Sequence, residues 1–200
     1  MRPVLPILFI FMGLVLANES YGQECFEGYE TLFEKGSETM SYQQFHELEL
    51  DFVKNLKGCA APYFEGKTLT GDDIYLTDLK GKVVVLNFWF TTCPPCLKEI
   101  PELNKLVTQF NSDEVIFIGL ARDTNQQLDA FFKRFGPFQF QIIPESYAIA
   151  TTYKVVAWPQ SIVIDANGKV FKVWTGADQE PVQLVTEIKT AIQQCLASGN

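Results

Sequence analysis

Histidine is nearly absent from this chain: His46 is the only one in 200 residues. That scarcity removes the His-based triads and the His pairs that many catalytic and zinc sites need. Lys and Arg number 16 against 24 Asp and Glu, for a formal net charge of −8 and a pI near 4.7, and no basic run occurs. No nucleic-acid partner is expected from such a balance. No uncharged apolar run reaches the ~20 residues that cross a bilayer, and no repeat or low-complexity tract is present. Charged residues make up only 20% and hydrophobic ones 47%, which excludes a wholly disordered chain. The length suits one medium globular domain with some extra chain, and is too small for two full-sized domains.

The apolar run that does exist lies at the start. Arg2 precedes the uncharged stretch Val4 to Ala17, and the small residues Ser20 and Gly22 follow it. This is the pattern of a secretory signal peptide cleaved after Gly22, with an uncleaved signal anchor as the alternative. A lipid anchor on Cys25 is disfavoured by Gln23 and Glu24 immediately before it. Export to an oxidising space, the bacterial periplasm, is the expectation, and disulfides persist in such a space. The chain then divides into a signal (1–22), a helical extension (23–57) and one main domain (58–200).

Within the extension, Tyr42, Phe45, Leu48, Phe52, Val53 and Leu56 recur at helical spacing. Ser41 with Gln44 has the form of a capping box, and Gly58 stands where a left-handed residue would end the helix. From Gly58 onward strands and helices alternate. The stretches 83–90 and 115–121 are nearly continuous apolar runs, as in strands covered on both faces. The segment between them carries a helical stripe of Leu97, Ile100, Leu103, Val107 and Phe110, so the unit reads as strand, helix, parallel strand. Helices are expected over 126–135 and 145–153, a hairpin over 160–175 turning at Asn167 and Gly168, and a last helix after Pro181 with Val185, Ile188, Ile192 and Cys195 inward. The fold class is α/β: a mixed sheet flanked by helices, βαβ followed by ββα.

The chemistry concentrates at Cys93-Pro94-Pro95-Cys96, where the first buried strand gives way to the helix. A C-x-x-C pair at that junction of a βαβ unit is a redox pattern. Free N–H groups and the positive end of the helix dipole favour a thiolate at Cys93, making it the nucleophile. Cys96, one turn on and on the less exposed side, can attack the mixed disulfide and resolve it. The prolines Pro94 and Pro95 remove N–H donors and restrict the turn. An inert structural disulfide is the plainer alternative. A zinc site is the other, but it wants about four ligands, whereas His46 is alone and the remaining cysteines are scattered.

These residues resemble the thioredoxin-like family and, within it, the exported TlpA/ResA-type thiol-disulfide oxidoreductases. The likeness runs from about Gly58 to the C-terminus. It is carried by Asp78-Leu79-Lys80-Gly81-Lys82 leading through Asn87-Phe88-Trp89 to the cysteine pair, by Glu99-Ile100-Pro101-Glu102-Leu103 after it, and by Tyr153, Val155 and Pro159 before Ile162-Val163-Ile164-Asp165. The resemblance implies a thioredoxin fold, a cis peptide bond at Pro159 beside the cysteines, and proton handling by Glu99. It also implies a substrate groove that includes Trp89, Thr92, Pro94, Pro95 and Trp158. Asn87 stands where thioredoxin proper has a buried Asp, and Asn accepts no proton at neutral pH. Phe90, Thr92, Trp158 and Gln160 depart from the usual residues around the groove, so substrate identity transfers least. The implied activity is reduction of disulfides in partner proteins, as in cytochrome c maturation, with electrons from an upstream redox protein that is membrane-associated or soluble and with no bound cofactor. A thiol peroxidase is a competing expectation, although its Thr-x-x-Cys spacing is missing: Thr91 and Thr92 lie two and one residues before Cys93. A noncatalytic binding module is a third.

Cys25, Cys59 and Cys195 remain, and three pairings are open. Cys195 on an apolar stripe reads as a buried packing thiol, and a Cys25–Cys59 bridge pinning the extension is one option suited to an oxidising space. His46, on the extension helix, is expected to be solvated or capping rather than catalytic.

Overall fold

The computed structural model describes residues 25–26, 40–176 and 179–199. The signal segment, its cleavage site at Gly22 and residues 23–24 lie outside the described residues. In chain order the elements are α1 (Tyr42–Asn55), β1 (Glu65–Lys67), β2 (Asp73–Tyr75), a 3-10 turn (Leu76–Leu79), β3 (Val83–Trp89), α2 (Pro94–Val107), β4 (Val115–Ala121), α3 (Asn125–Phe135), β5 (Gln141–Ile143), α4 (Tyr147–Thr152), β6 (Gln160–Ile164), β7 (Val170–Thr175) and α5 (Pro181–Ser198).

The five-stranded sheet runs β5-β4-β3-β6-β7. β3 lies at its centre, parallel to β4 from Val83↔Val115 to Trp89↔Ala121 and antiparallel to β6 from Val84↔Ile164 to Phe88↔Gln160. All seven residues of β3 and of β4 are buried, which is why both read as continuous apolar runs. The alternation inside β3 sorts its side chains onto two layers. Val83, Val85 and Trp89 join the cluster built by α2, α3 and α5, whereas Val84, Leu86 and Phe88 join the one containing Phe52, Leu56 and Tyr153. The architecture is the mixed α/β sheet expected from the sequence, βαβ followed by an antiparallel hairpin and a helix.

Local signals explain most boundaries. Ser41 caps α1 through the reciprocal pair Gln44 N–H to Ser41 Oγ (3.4 Å) and Ser41 N–H to Gln44 Oε1 (2.9 Å). Thr124 and Gln127 build a second capping box at α3 that the sequence reading passed over. The hairpin β6–β7 turns at Asn167 and Gly168, where Gly168 has φ +78°. The hairpin β1–β2 and the edge strand β5 were not expected, since three residues each are too few to show alternation. Strand β3 ends at Trp89 rather than Phe90.

One correction bears on the site. The expected stripe Leu97, Ile100, Leu103, Val107 and Phe110 does pack on the core, with Leu103 buried and the others half-buried, but the deepest line of α2 is Cys96, Glu99, Leu103 and Leu106, and Phe110 lies beyond the helix end. The helix docks along the edge that carries its cysteine, so an ionisable residue that apolar counting cannot see occupies the buried line.

Candidate active site

Cys93 is the N-cap of α2, in extended conformation at φ −93° and ψ 102°, with Pro94 and Pro95 starting the helix. Proline there sacrifices no hydrogen bond, because the first helical N–H groups have no partner within the helix. Cys93 and Cys96 are joined in a disulfide with Cα atoms 5.3 Å apart. The Cys96 backbone N–H donates to Cys93 Sγ at 3.3 Å, so a backbone donor already points at the sulfur on which negative charge would develop after reduction. The expected asymmetry in exposure is absent: both cysteines are 2% exposed. The cap geometry turns Cys93 inward over the first turn, beside Cys96, while Pro94 and Thr92 are exposed and Pro95 half-buried.

Across the sheet, the Trp158–Pro159 peptide bond is cis. The pairing Phe88↔Gln160 places residues 158 and 159 just past the end of β3, next to the segment that leads to Cys93. The Trp158 ring meets Phe90 edge-on at 5.7 Å and Phe88 at 6.4 Å. Gly176 donates to the Pro159 carbonyl at 2.9 Å, which ties this loop to the end of β7. Asn87, at the centre of the sheet, donates to Ser161 Oγ at 3.0 Å.

Trp89 is the clear misplacement among the groove residues. It is fully buried and packs on Phe131, Phe132 and Phe138 at 5.5 to 6.1 Å, so it supports the sheet from beneath and lines no groove. Its parity puts it on the layer of α3, and a Cβ at Gly119 on the neighbouring strand would stand 3.3 Å from its Nε1 and 2.5 Å from Ile142 Cδ1. Only glycine lets these side chains close over β4.

Glu99 is 4% exposed, and its Oε2 has no hydrogen-bond partner among the described residues. Desolvation by burial pushes its pKa up from the usual carboxylate range to about 8. The group is therefore largely protonated at neutral pH, three residues after Cys96 on the buried line of α2.

Sequence reading missed Asp123, just after β4. Its carboxylate accepts from the Thr91 N–H and from Thr91 Oγ1, both at 2.7 Å, while its backbone carbonyl accepts from Glu145 N–H at 2.9 Å. It thereby fixes the loop two residues before Cys93. No local pattern marks such a residue, because the partner is 32 positions away.

The other cysteines also find their places. Cys25 and Cys59 form a second disulfide, with Cα atoms 6.1 Å apart and a sequence separation of 34. Cys195 is a free, buried thiol whose pKa is pushed up to about 11, by burial first and by Asp165 second. His46 sits on α1 with Nδ1 3.5 Å from Glu49 Oε2, on the layer opposite the cysteine pair.

A cysteine pair at the mouth of a helix, at the end of a central strand and beside a cis-proline loop, defines a thioredoxin-fold thiol-disulfide oxidoreductase. The model of the AhpC/TSA family matches residues 57–173, and the chain belongs to this thioredoxin-like family. It is 38% identical over 134 residues to the thiol-disulfide oxidoreductase ResA of Bacillus thuringiensis subsp. konkukian, a match covering 66% of this chain and 76% of that one. It is 31% identical over 139 residues to the thioredoxin-like protein YneN of Bacillus subtilis, covering 68% and 79% respectively. Among solved structures, a thiol:disulfide interchange protein of the thioredoxin family from Chlorobium tepidum TLS superposes with a TM-score of 0.59 at 25% identity, covering 70% of this chain and 97% of that one.

Proposed function

We propose that this chain is an exported reductase of disulfides in partner proteins, working through Cys93 and Cys96, with cytochrome c maturation as the setting. The observation that carries the reading is the Cys93–Cys96 pair at the N-terminus of α2, with a backbone N–H already directed at Cys93 Sγ. In the reduced protein the Cys93 thiolate attacks one sulfur of the partner's disulfide and expels the other as a thiolate, which takes up a proton. In the fraction of molecules whose Glu99 is ionised, Cys96 gives its proton to that carboxylate, attacks Cys93 Sγ and expels the second partner sulfur as a thiolate, which takes up a proton. Two electrons and two protons pass to the partner, and the protein is left with its own disulfide. An upstream redox protein restores the dithiol.

Roles follow for the surrounding residues. Pro159 offers no N–H to the reacting sulfurs, and the backbone before it pairs with the bound segment. Thr92, Pro94, Pro95 and Trp158 form the contact surface. Residues 1–22 act as the export signal, 23–57 as the extension and 58–200 as the catalytic domain. Export is supported by the Arg2 and Val4 to Ala17 pattern and by two disulfides in one chain. No helix of the described residues is long and apolar enough to cross a membrane.

The test is trapping: C96S should accumulate reductant-sensitive covalent complexes through Cys93 in extracts of the exported compartment. A yield no greater than that of the C93S/C96S double variant would defeat the reading. Peroxidase activity is the competing function, drawn from the family's name and from Thr91 near the cysteine. Peroxide-dependent oxidation of the dithiol far faster than its oxidation by a peptide disulfide would favour it.

A further inference from the structure

The parallel strands β3 and β4 end together at Trp89↔Ala121, so Phe90 and Arg122 are the next residues across the ladder. Open α/β sheets receive ligands at this carboxyl end of their strands. The Arg122 backbone N–H donates to the Trp89 carbonyl at 3.1 Å, and the neighbouring Asp123 holds Thr91, which fixes the position of Arg122 relative to the cysteine loop. Its guanidinium lies 5.8 Å from the Phe90 ring centroid and 5.7 Å from that of Tyr147, a ring that is itself 61% exposed. Phe90 in turn touches Trp158, the residue before the cis-proline. Arg122, Phe90 and Trp158 thus form a contiguous group at the strand end from which the loop to Cys93 departs, where the Cys93 N–H donates to the Phe90 carbonyl at 3.2 Å.

Two features separate Arg122 from an ordinary surface cation. It is exposed, yet it forms no ion pair and no side-chain hydrogen bond among the described residues, in a chain whose net charge is −8. Its planar head is also flanked by two rings, so little freedom is lost when its donors meet a carboxylate. A guanidinium held between two rings at cation–π range with its five donors unspent can take a planar anion in bidentate fashion.

We propose that Arg122 selects partner segments carrying an Asp or Glu side chain next to the disulfide to be reduced. The proposal rests on the reductase reading above and adds the chemistry of the recognised segment. A carboxylate beside the target cystine pairs with Arg122 while its neighbouring sulfur is presented to Cys93. Such a pair is solvent-exposed, which limits its effect to about fivefold in affinity and makes it sensitive to salt.

The experiment uses the pre-reduced protein and three synthetic peptides that differ only in whether Glu, Gln or Lys flanks a single cystine, with peptide thiol release followed in a single turnover. The Glu peptide should react about fivefold faster than the Gln peptide at low ionic strength, the Lys peptide slowest, and the spread should shrink as salt rises. In R122Q the Glu-to-Gln rate ratio should fall to about one, and in R122K it should take an intermediate value, since the ammonium keeps the charge but loses the bidentate fork. Equal rates for the three peptides, or an undiminished ratio in R122Q, would overturn the role of Arg122 while leaving the reductase reading intact. No reaction with any of them would overturn both.

Discussion

Two disulfides in one chain, made of the same atoms, sit in opposite circumstances. Cys25–Cys59 spans 34 residues, and its ends join a segment before α1 to the loop after it. Cys93–Cys96 spans three residues and closes the first turn of a helix. The chain-entropy relation assigns roughly 4 kcal/mol of unfolded-state restriction to the long loop and roughly 2 kcal/mol to the short one. The long bridge also has packing to defend: Phe26, Phe52, Leu56 and Tyr153 share one buried cluster, with the Phe26 ring 6.5 Å from Phe52 and 6.0 Å from Tyr153. The short one has a directed N–H and a buried carboxyl nearby instead. On the reading proposed above, one bridge holds chain together and the other exchanges.

The sharpest way to break this contrast is to remove each bridge in turn. C93S should lower disulfide-reduction rates by roughly 10³-fold or more, because the attacking sulfur is lost, while C25S/C59S should leave the rate within about twofold. Stability should respond in the opposite order: chemical denaturation should show C25S/C59S losing roughly 3–4 kcal/mol and reduction of Cys93–Cys96 costing less. A kinetic collapse in C25S/C59S would merge the two roles.

Reactivity distinguishes the sulfurs further. In the fully reduced protein at pH 7, an alkylating reagent followed by peptide mass analysis should label Cys93 first, helped by the helix N-terminus. Cys195, with its pKa pushed up to about 11, should be labelled last. Preferential labelling of Cys195 would contradict both assignments.

Glu99 supplies a pH signature. Its pKa is raised in the fold, so the folded protein holds a proton that the unfolded chain releases. The stability of the fold is therefore greatest below about pH 4.5 as far as this group is concerned, and declines as pH rises toward about 8, where the buried carboxylate becomes charged. E99Q should abolish that slope, which is worth roughly 5 kcal/mol across the window at ~1.4 kcal/mol per pH unit. If Glu99 accepts the Cys96 proton, release of the second partner thiol should speed up through about pH 8 in the native protein and lose that inflection in E99Q. An unchanged profile would leave the carboxyl without a part in resolution.

The smallest expected effect is at Asp123. D123N cannot accept both Thr91 bonds with the same geometry, and each charge-assisted bond contributes roughly 1.5–3 kcal/mol. The loop ahead of Cys93 should loosen, with faster amide exchange at Thr91 and a loss of roughly 1–2 kcal/mol in stability, because the freed loop retains water as a partner. Unaltered exchange at Thr91 would show that the clamp is not what orders the loop.

Legibility in the sequence followed the range of the interaction. The two buried strands, the cap at Ser41, the turn at Asn167 and Gly168, and the cysteine pair at a strand-to-helix junction each leave a mark within a few residues. The positions of Pro159 and Glu99 were named only through family resemblance, since neither a cis bond nor a buried carboxyl has a local signature. Trp89 was misjudged because its proximity in sequence to Cys93 says nothing about how deeply it is buried: it lies on the cysteines' side of the sheet but inside the core. Strand parity sends it under β4, against Phe131 and Phe138.

By itself the order of residues determined the α/β alternation and the chemistry at residues 93 and 96, because apolar periodicity and a C-x-x-C spacing are properties of neighbouring positions. Which edge of α2 docks, that Asp123 grips Thr91 across 32 residues, and that Arg122 stands over Phe90 and Tyr147 were decided only when the strands registered. Those contacts join residues that share no turn of helix or strand, and only close packing of separate elements brings them within reach.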